Sequence, residues 1–142
     1  MRNSAGKIII YTDGGARGNP GPAAVGFIIY DSNNEKLEQY SKYIGEKTNN
    51  YAEYLAILES LINSKNYNPD EVVIYTDSSL AYNQINGFWK IKDDSLKDIA
   101  SRINKEISGF KQFKVLYIPR EKNKEADKLV NIELNLNEIN KY

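Results

Sequence analysis

The chain has 142 residues, neither cysteine nor histidine, and 19 basic against 19 acidic side chains, which give a net charge of zero. The absence of cysteine and histidine excludes disulfides, thiolate or imidazole metal sites and every catalytic pair that needs either residue. The net charge of zero provides no global positive field that would attract a polyanionic partner. The length fits a single domain with its own core, and no apolar run approaches the about 18 to 20 residues of a membrane span, so we expect a cytoplasmic protein without a membrane partner.

The first part of the chain has the pattern of an antiparallel meander of three strands. β-branched runs favour strands, and the Gly/Pro-rich residues 14–22 and the polar residues 31–34 supply the turns between them. From Asn50 onward the apolar residues take helical spacing and predict a first helix. The predicted strands cover residues 7–12, 25–30 and 36–44, and the apolar stripe of the helix contains Tyr51, Tyr54, Leu55, Leu58, Leu61 and Ile62.

The rest of the chain alternates strands and helices. A β-branched run at residues 72–74 predicts a fourth strand, and residues 113–118 predict a fifth. Between these strands we expect a short helix over residues 80–85 and a longer amphipathic one, and Asn123 is expected to cap a last helix. The apolar face of the longer helix contains Leu96, Ile99, Ile103 and Ile107, and the last helix contains Ala126, Leu129 and Val130.

This order of elements predicts an α/β fold. Three antiparallel strands followed by two parallel ones form a mixed five-stranded sheet, with helices on both faces. One domain over residues 1–131 accounts for all of these elements. The tail, residues 132–142, alternates Ile132, Leu134 and Leu136 with polar residues, a pattern compatible with a strand, a coil or a frayed end.

The tetrapeptide Ile-Tyr-Thr-Asp occurs twice, ending at Asp13 and at Asp77, and each copy follows a β-branched run. If the two strands are parallel neighbours, both carboxylates leave the sheet at the same rim, where open α/β folds bind ligands. Two close carboxylates repel each other and favour a divalent cation between them. The alternative is that each aspartate caps the turn or helix that follows it.

Two further acids stand near the starts of predicted helices. Glu53 follows Asn50 by three residues, and Asp127 follows Asn123 by four. Asn50 and Glu53 match a capping box, and acids in a first helical turn are stabilised by the helix macrodipole. The residues alone therefore leave open whether these two acids are structural or functional.

Four segments of the chain together resemble the type 1 ribonuclease H family. None is specific by itself, but they follow the family's order and span nearly all of the chain except the tail. The resemblance implies a ribonuclease H-like fold in which Asp13, Glu53, Asp77 and Asp127 are the acidic metal-site residues. The segments are Tyr-Thr-Asp-Gly-Gly-Ala-Arg-Gly-Asn-Pro-Gly-Pro at 11–22, Thr-Asn-Asn-Tyr-Ala-Glu-Tyr at 48–54, Tyr-Thr-Asp-Ser at 75–78 and Pro-Arg-Glu-Lys-Asn-Lys-Glu-Ala-Asp at 119–127.

The chemistry of such a family fits this composition. Phosphodiester hydrolysis needs a deprotonated water, a stabilised phosphorane and a supported 3′ oxygen, and two hard cations about 4 Å apart can provide all three. Mg²⁺ prefers oxygen ligands, so carboxylates suffice without histidine or cysteine. The resemblance thus implies two Mg²⁺ ions, with Mn²⁺ as a possible substitute. Our hypothesis is that Asp13 bridges both ions, Glu53 and Asp77 hold the leaving-group ion, and Asp127 holds the water-activating ion.

The resemblance also implies residues that contact the substrate. Many relatives carry a histidine in the loop before the last aspartate, and Arg120 is the available substitute here, able to hold a phosphate but not to move protons. Amide side chains can recognise the 2′-hydroxyl that separates RNA from DNA. Turn formation, helix capping and packing are alternative roles for the same residues. The implied substrate-binding residues are Asn19, Thr48, Asn49, Asn50, Ser79, Gln84, Trp89 and Lys90.

Three functions follow from the sequence as candidates. The leading one is a monomeric Mg²⁺-dependent endonuclease that cuts the RNA strand of RNA/DNA hybrids to 5′-phosphate and 3′-hydroxyl ends. The second is a nuclease of the same fold with a broader range that includes double-stranded RNA, because minor-groove shape does not require a DNA strand. The third is a catalytically inactive nucleic-acid-binding module, against which the presence of all four acids argues.

Overall fold

The computed structural model of the chain describes residues 6–140, which form one five-stranded sheet and four α-helices. The strand order is β3-β2-β1-β4-β5, with β1, β2 and β3 antiparallel and β1, β4 and β5 parallel. The predicted mixed sheet is therefore confirmed. The elements are β1 Lys7–Ala16, β2 Gly21–Asp31, β3 Lys36–Lys47, α1 Asn49–Ser64, β4 Glu71–Thr76, α2 Ser79–Ile85, α3 Asp94–Ile107, β5 Gln112–Tyr117 and α4 Lys124–Asn140, with short 3₁₀ turns at Lys65–Tyr67 and Arg120–Lys122.

Helices α1 and α3 cover one face of the sheet and enclose the main core. Side chains that alternate along β1 and β4 point into this core, as the period of two in a strand requires. A fully buried aliphatic side chain contributes about 1.5 to 3 kcal/mol relative to an exposed one, so these contacts fix both helices on the sheet. The core contains Ile8, Ile10, Val72 and Ile74 from the strands, Ile57, Leu58 and Leu61 from α1, and Leu96, Ile99 and Ile103 from α3.

One member of the predicted apolar stripe lies outside this core. Ile62 is 41% exposed, whereas Ile57, which the predicted stripe omitted, is fully buried. The buried positions of α1 follow the spacing of Tyr54, Ile57, Leu58 and Leu61, and Ile62 falls beyond the edge of that face.

The turn predicted at residues 14–22 is shorter than expected. Strand β1 continues to Ala16, because Gly14 pairs with Val25 and Gly15 with Ala24. Glycine weakens an ordinary strand, but at Gly14 the missing side chain has a specific use. A Cβ on Gly14 would lie 2.2 Å from the carbonyl oxygen of Ala52, so only glycine lets α1 approach β1 this closely.

Helix α4 lies on the opposite face of the sheet and includes most of the tail. It runs without a break from Lys124 to Asn140, so residues 132–140 are helical rather than extended or coiled. Leu134 is 3% exposed and packs with Ala24 and Val130. Residues 1–5 and the last two of the tail lie outside the described residues. Within residues 6–140, no helix has the length and apolar character needed to cross a membrane.

Candidate metal centre

Three acidic side chains meet at the carboxyl end of the two central parallel strands. Asp13 lies in β1, one residue beyond the pairing of Thr12 with Thr76, and Asp77 directly follows β4. Glu53 reaches the same place from the first turn and a half of α1. One carboxylate oxygen from each of the three acids lies within 4.8 Å of the others. The repeated tetrapeptide thus places both of its aspartates at one rim of the sheet.

Neither aspartate of the repeat caps a following element. Asp13 is an internal residue of β1, and the N-cap of α2 is Ser78, whose hydroxyl accepts a hydrogen bond from the amide of Ala81 at 3.1 Å. The capping alternative for Asp77 is therefore wrong. A serine directly after the aspartate caps the helix and leaves the aspartate side chain free to face the other acids.

Glu53 is positioned by the close approach of α1 to Gly14. The amide of Gly14 donates a hydrogen bond of 2.9 Å to Oε1 of Glu53. Helix α1 begins at Asn49 with Thr48 as its N-cap, and the Thr48 hydroxyl accepts from the amide of Tyr51 at 3.1 Å. The proposed capping box is wrong, because a cap at residue 48 places Tyr51 rather than Glu53 at its third position.

Burial and neighbouring charges raise the proton affinity of two of these acids, Asp13 and Glu53. Burial, then the charges of Asp77 and Asp127, raise the pKa of Asp13 to about 8. Burial also raises the pKa of Glu53 well above its usual value, and the charges of Asp13 and Asp77 add to that effect. A divalent cation would compensate the repulsion, and an all-carboxylate donor set suits a hard cation such as Mg²⁺ or Mn²⁺.

The fourth acid, Asp127, lies in the first turn of α4 and faces Asp13. It raises the pKa of Asp13 both through its charge and through a side-chain hydrogen bond. Nδ2 of Asn131, one turn further along α4, donates to Oδ2 of Asp127 at 3.2 Å. Asp13, Asp127 and Arg120 line one cavity of about 150 Å³, so the guanidinium-bearing residue predicted from the sequence borders the acidic site.

Asn123 is a residue of this site that the sequence analysis missed. Its side chain, 2% exposed, donates from Nδ2 to the carbonyl oxygen of Thr12 at 2.8 Å and to Oδ2 of Asp77 at 3.1 Å. Asn123 directly precedes α4, as expected of its cap, and its backbone carbonyl accepts from the amide of Asp127, while its side chain points to Thr12 and Asp77. Oδ1 of Asn123 is buried with no hydrogen-bond partner among residues 6–140. The signals in the sequence were its place in the segment at 119–127 and its position four residues before Asp127.

The first group of predicted substrate residues surrounds the start of α1. Oδ1 of Asn19 accepts from the amide of Asn49 at 3.0 Å, and Oδ1 of Asn49 accepts from the amide of Ala16 at 3.3 Å. These bonds hold the β1–β2 loop against the helix. Asn49 also lines the cavity that contains Asp13, while Asn50 is exposed. Thr48 serves as the helix cap.

The second group lies along α2 and the loop that follows it. Ser79, the first residue of α2, is exposed, and Trp89 and Lys90 are exposed in the loop. Gln84 is half-buried near the end of α2, and both ends of its amide are hydrogen-bonded within the protein. The first group therefore lies around the start of α1 and the second along α2 and its loop, and each of these helices begins close to one acid of the candidate metal centre.

The sequence of this chain is similar to one protein family model and to proteins of archaea and bacteria. The family described as "Reverse transcriptase-like" matches residues 11–132. Ribonuclease HI of Halobacterium salinarum is 34% identical over 126 residues, which cover 89% of this chain and 63% of that protein. The bifunctional protein Rv2228c of Mycobacterium tuberculosis is also 34% identical over 126 residues, covering 88% of this chain and 35% of that protein. The chain thus spans less than two thirds of the length of both relatives.

Solved structures share the fold. The crystal structure of RNase H1 from Halobacterium salinarum has a TM-score of 0.89 at 34% identity, covering 92% of this chain and 98% of that one. The N-terminal RNase H domain of rv2228c from Mycobacterium tuberculosis has a TM-score of 0.91 at 31% identity, covering 96% and 99%. LC11-RNase H1, solved in complex with an RNA/DNA hybrid, has a TM-score of 0.85 at 42% identity, covering 90% and 96%.

Proposed function

Because this chain belongs to the ribonuclease H family, we propose that it is an endonuclease that hydrolyses the RNA strand of RNA/DNA hybrids, leaving 5′-phosphate and 3′-hydroxyl ends. The observation that carries the proposal is the meeting of Asp13, Glu53 and Asp77 within 4.8 Å. Asp127 lies beside Asp13 and completes the group. The hybrid bound to the similar LC11-RNase H1 supports the choice of substrate.

The donor set fits two divalent cations of the hard type, with Mg²⁺ first and Mn²⁺ as a substitute. When bound, such ions supply an activated water, stabilise the phosphorane charge and support the leaving 3′ oxygen. In this proposal Asp13 would hold both ions. Glu53 and Asp77 would hold the ion that supports the leaving group, and Asp127 would hold the ion that activates water.

Neighbouring residues keep these ligands in place before substrate arrives. The backbone amide of Gly14 orients Glu53, and the buried side-chain amide of Asn123 orients Asp77. Fixed ligands lose little freedom when the ions bind, which favours catalysis by positioning. Arg120 borders the same cavity and is proposed to hold a substrate phosphate there through its guanidinium group.

Residues on either side of the acids are proposed to bind the duplex. Residues from the β1–β2 loop and the start of α1 would read the minor groove and its 2′-hydroxyls, and those of α2 and its loop would hold the DNA strand. With a net charge of zero, affinity depends on local contacts and is expected to fall with salt. The first group is Asn19, Thr48, Asn49 and Asn50, and the second is Ser79, Trp89 and Lys90, with Gln84 half-buried behind the loop.

The proposal is tested with end-labelled substrates. Hybrid, double-stranded RNA, double-stranded DNA and single strands are incubated with the protein in Mg²⁺, Mn²⁺ or EDTA. We expect cleavage of the RNA strand of the hybrid in either metal and none in EDTA, with products that a polymerase extends from their 3′ ends. Cleavage of double-stranded RNA at a comparable rate would replace the proposal with the broader nuclease.

A matched pair of variants assigns the activity to the acidic site. Asp13→Asn removes one charge from the proposed bridging ligand and should lose cleavage by several orders of magnitude while keeping the fold. Asp98→Asn, which makes the same change at an exposed position of α3, should cleave as the wild type does. If Asp13→Asn retains near-normal Mg²⁺-dependent cleavage, the assignment of the site is refuted.

A further inference from the structure

Helix α1 carries a buried tyrosine directly after its metal-centre acid. Tyr54 is 0% exposed, and its hydroxyl donates a hydrogen bond to Oε1 of Gln84 in α2. A tyrosine hydroxyl is protonated at neutral pH and can therefore donate to this oxygen. Glu53 and Tyr54 are consecutive, and α1 therefore contacts both the acidic site and the end of α2.

The nitrogen of the Gln84 amide makes a second hydrogen bond, to the loop that follows α2. Nε2 of Gln84 donates to the carbonyl oxygen of Lys90 at 3.0 Å. A carbonyl oxygen only accepts, so the amide nitrogen must face Lys90 and the amide oxygen must face the Tyr54 hydroxyl. The order of donors is thus fixed, from Tyr54 to Gln84 and from Gln84 to the backbone of Lys90.

Lys90 is the far end of a folded loop that presents aromatic side chains to solvent. The amides of Phe88 and Trp89 both donate to the carbonyl of Asn83, at 2.8 and 3.1 Å, which fixes the near end of the loop. Phe88 is 67% exposed and Trp89 is 49% exposed. At the far end the carbonyl of Lys90 accepts the hydrogen bond from Gln84, and the following Ile91 packs against the core.

The two hydrogen bonds of Gln84 connect α1 to the exposed loop that carries Trp89 and Lys90. Aromatic faces next to a cation bind nucleic-acid strands by stacking and charge, and such binding is stronger when the side chains are held in place beforehand. Because one helix carries both Glu53 and Tyr54, the position of the loop is tied to the position of the acids.

We propose that Tyr54 and Gln84 are positioning residues for substrate binding, which hold the loop at residues 86–90 so that Trp89 and Lys90 engage the DNA strand of the hybrid. This inference rests on the proposed function. It assigns to Gln84 a role through the loop backbone, without direct contact to nucleic acid. Loss of either side chain should weaken binding and leave the metal centre intact.

Tyr54→Phe and Gln84→Met test the inference, because each keeps most of the side-chain volume and removes one or both hydrogen bonds. In an Asp13→Asn background, which prevents cleavage, we expect the Kd for a short RNA/DNA hybrid to rise about threefold to tenfold in each variant. In the cleaving background, KM should rise while kcat and the Mg²⁺ concentration for half-maximal rate stay at the wild-type values.

Trp89 provides a direct readout of the loop, because it is the only tryptophan in the chain. In the free protein, acrylamide quenching of its fluorescence should increase and its anisotropy should fall in both variants. Tyr67→Phe is the matched control: the Tyr67 hydroxyl donates to Glu38 at 2.6 Å, so this variant loses a comparable bond away from the loop. It should leave quenching and hybrid Kd unchanged.

Gln84→Glu separates the hydrogen bond with Tyr54 from the one with Lys90, and it replaces Gln84→Met in the test if that variant fails to fold. It keeps an acceptor for Tyr54 but cannot donate to Lys90, so it should show the same loosened Trp89. Wild-type quenching and Kd in all three variants would overturn the inference, as would a loss of kcat alone. If the wild-type protein itself neither binds nor cleaves the hybrid, the proposed function fails instead, and the quenching comparison still shows whether these residues fix the loop.

Discussion

The carboxyl group of Asp13 is 4% exposed and lies against the carboxylates of Asp77 and Asp127. Its pKa is raised to about 8, first by burial and then by these charges. The unfolded chain has no such environment and loses this proton near its ordinary value of 3.8. Between these two values the folded, metal-free protein holds a proton that the unfolded chain has released, and its stability therefore falls as the pH rises.

This difference predicts how stability depends on pH and on metal. In EDTA, the free energy of unfolding should decrease between about pH 4 and pH 8, by at most about 1.4 kcal/mol per pH unit for each such group. Mg²⁺ binds the ionised carboxylates, so the rise in Tm that it causes should grow over the same range. Thermal melts across this range in EDTA and in Mg²⁺ measure both slopes.

Asp13→Asn is the control for that experiment. It removes one of the two groups with a raised pKa, so the EDTA slope should become less steep and the effect of Mg²⁺ should shrink. Equal slopes in wild type and variant would show that Asp13 does not carry the shifted proton. The same result would weaken the view that these acids are held together for a cation.

Strands β1 and β4 and helix α4 are joined at Asn123. The side-chain amide of Asn123 donates hydrogen bonds to the carbonyl oxygen of Thr12 in β1 and to the carboxylate of Asp77 after β4. The backbone carbonyl of Asn123 accepts from the backbone amide of Asp127 in α4. One buried residue thereby contacts the backbone of β1 next to Asp13, the carboxylate of Asp77 and the backbone of Asp127. An isolated Asp77 after a strand end would be free to rotate away from the site.

Asn123→Ala should therefore affect both stability and metal binding. It leaves the carbonyl of Thr12 and the carboxylate of Asp77 without their donor, a change that costs about 1 to 3 kcal/mol for a buried group. Loss of a residue that orients a metal ligand typically lowers metal affinity or activity by about 10- to 100-fold. Calorimetric titration with Mn²⁺ and chemical unfolding measure the two effects separately.

Asn123→Asp and Asn104→Ala complete that comparison. The aspartate keeps the shape of the side chain but removes the donor, so it should bind metal no better than the alanine variant. Asn104 is exposed on α3, and its replacement should leave metal affinity unchanged. An unaltered Mn²⁺ titration in both Asn123 variants would reduce this residue to a packing role.

For the molecule as a whole, the sequence was sufficient to predict the main strands and helices and the rim of the sheet at which the acids meet. β-branched runs that end in Ile-Tyr-Thr-Asp identified β1 and β4, and these patterns are local. The position of Glu53 was ambiguous, because its place near a helix start satisfies both a cap and a ligand. Only the three-dimensional approach of α1 to Gly14 separates the two.

Two other features depend on contacts that no local pattern specifies. The role of Asn123 requires the ends of β1 and β4 to lie beside the start of α4, and a glycine-rich segment gives no sign that β1 continues to Ala16. The tail is helical because Leu134 is buried against Ala24 on the second face of the sheet, a contact across 110 residues of chain.

The central claim is that acids far apart in the sequence form one site for divalent cations. Crystals of the wild-type protein soaked in MnCl₂, with anomalous diffraction data collected near the manganese edge, test it most directly. The account predicts anomalous density bonded to oxygens of Asp13, Glu53 and Asp77, with Asp127 on the same side. Well-ordered crystals at saturating Mn²⁺ with no anomalous density among these carboxylates, or with density only at other acids, would contradict it.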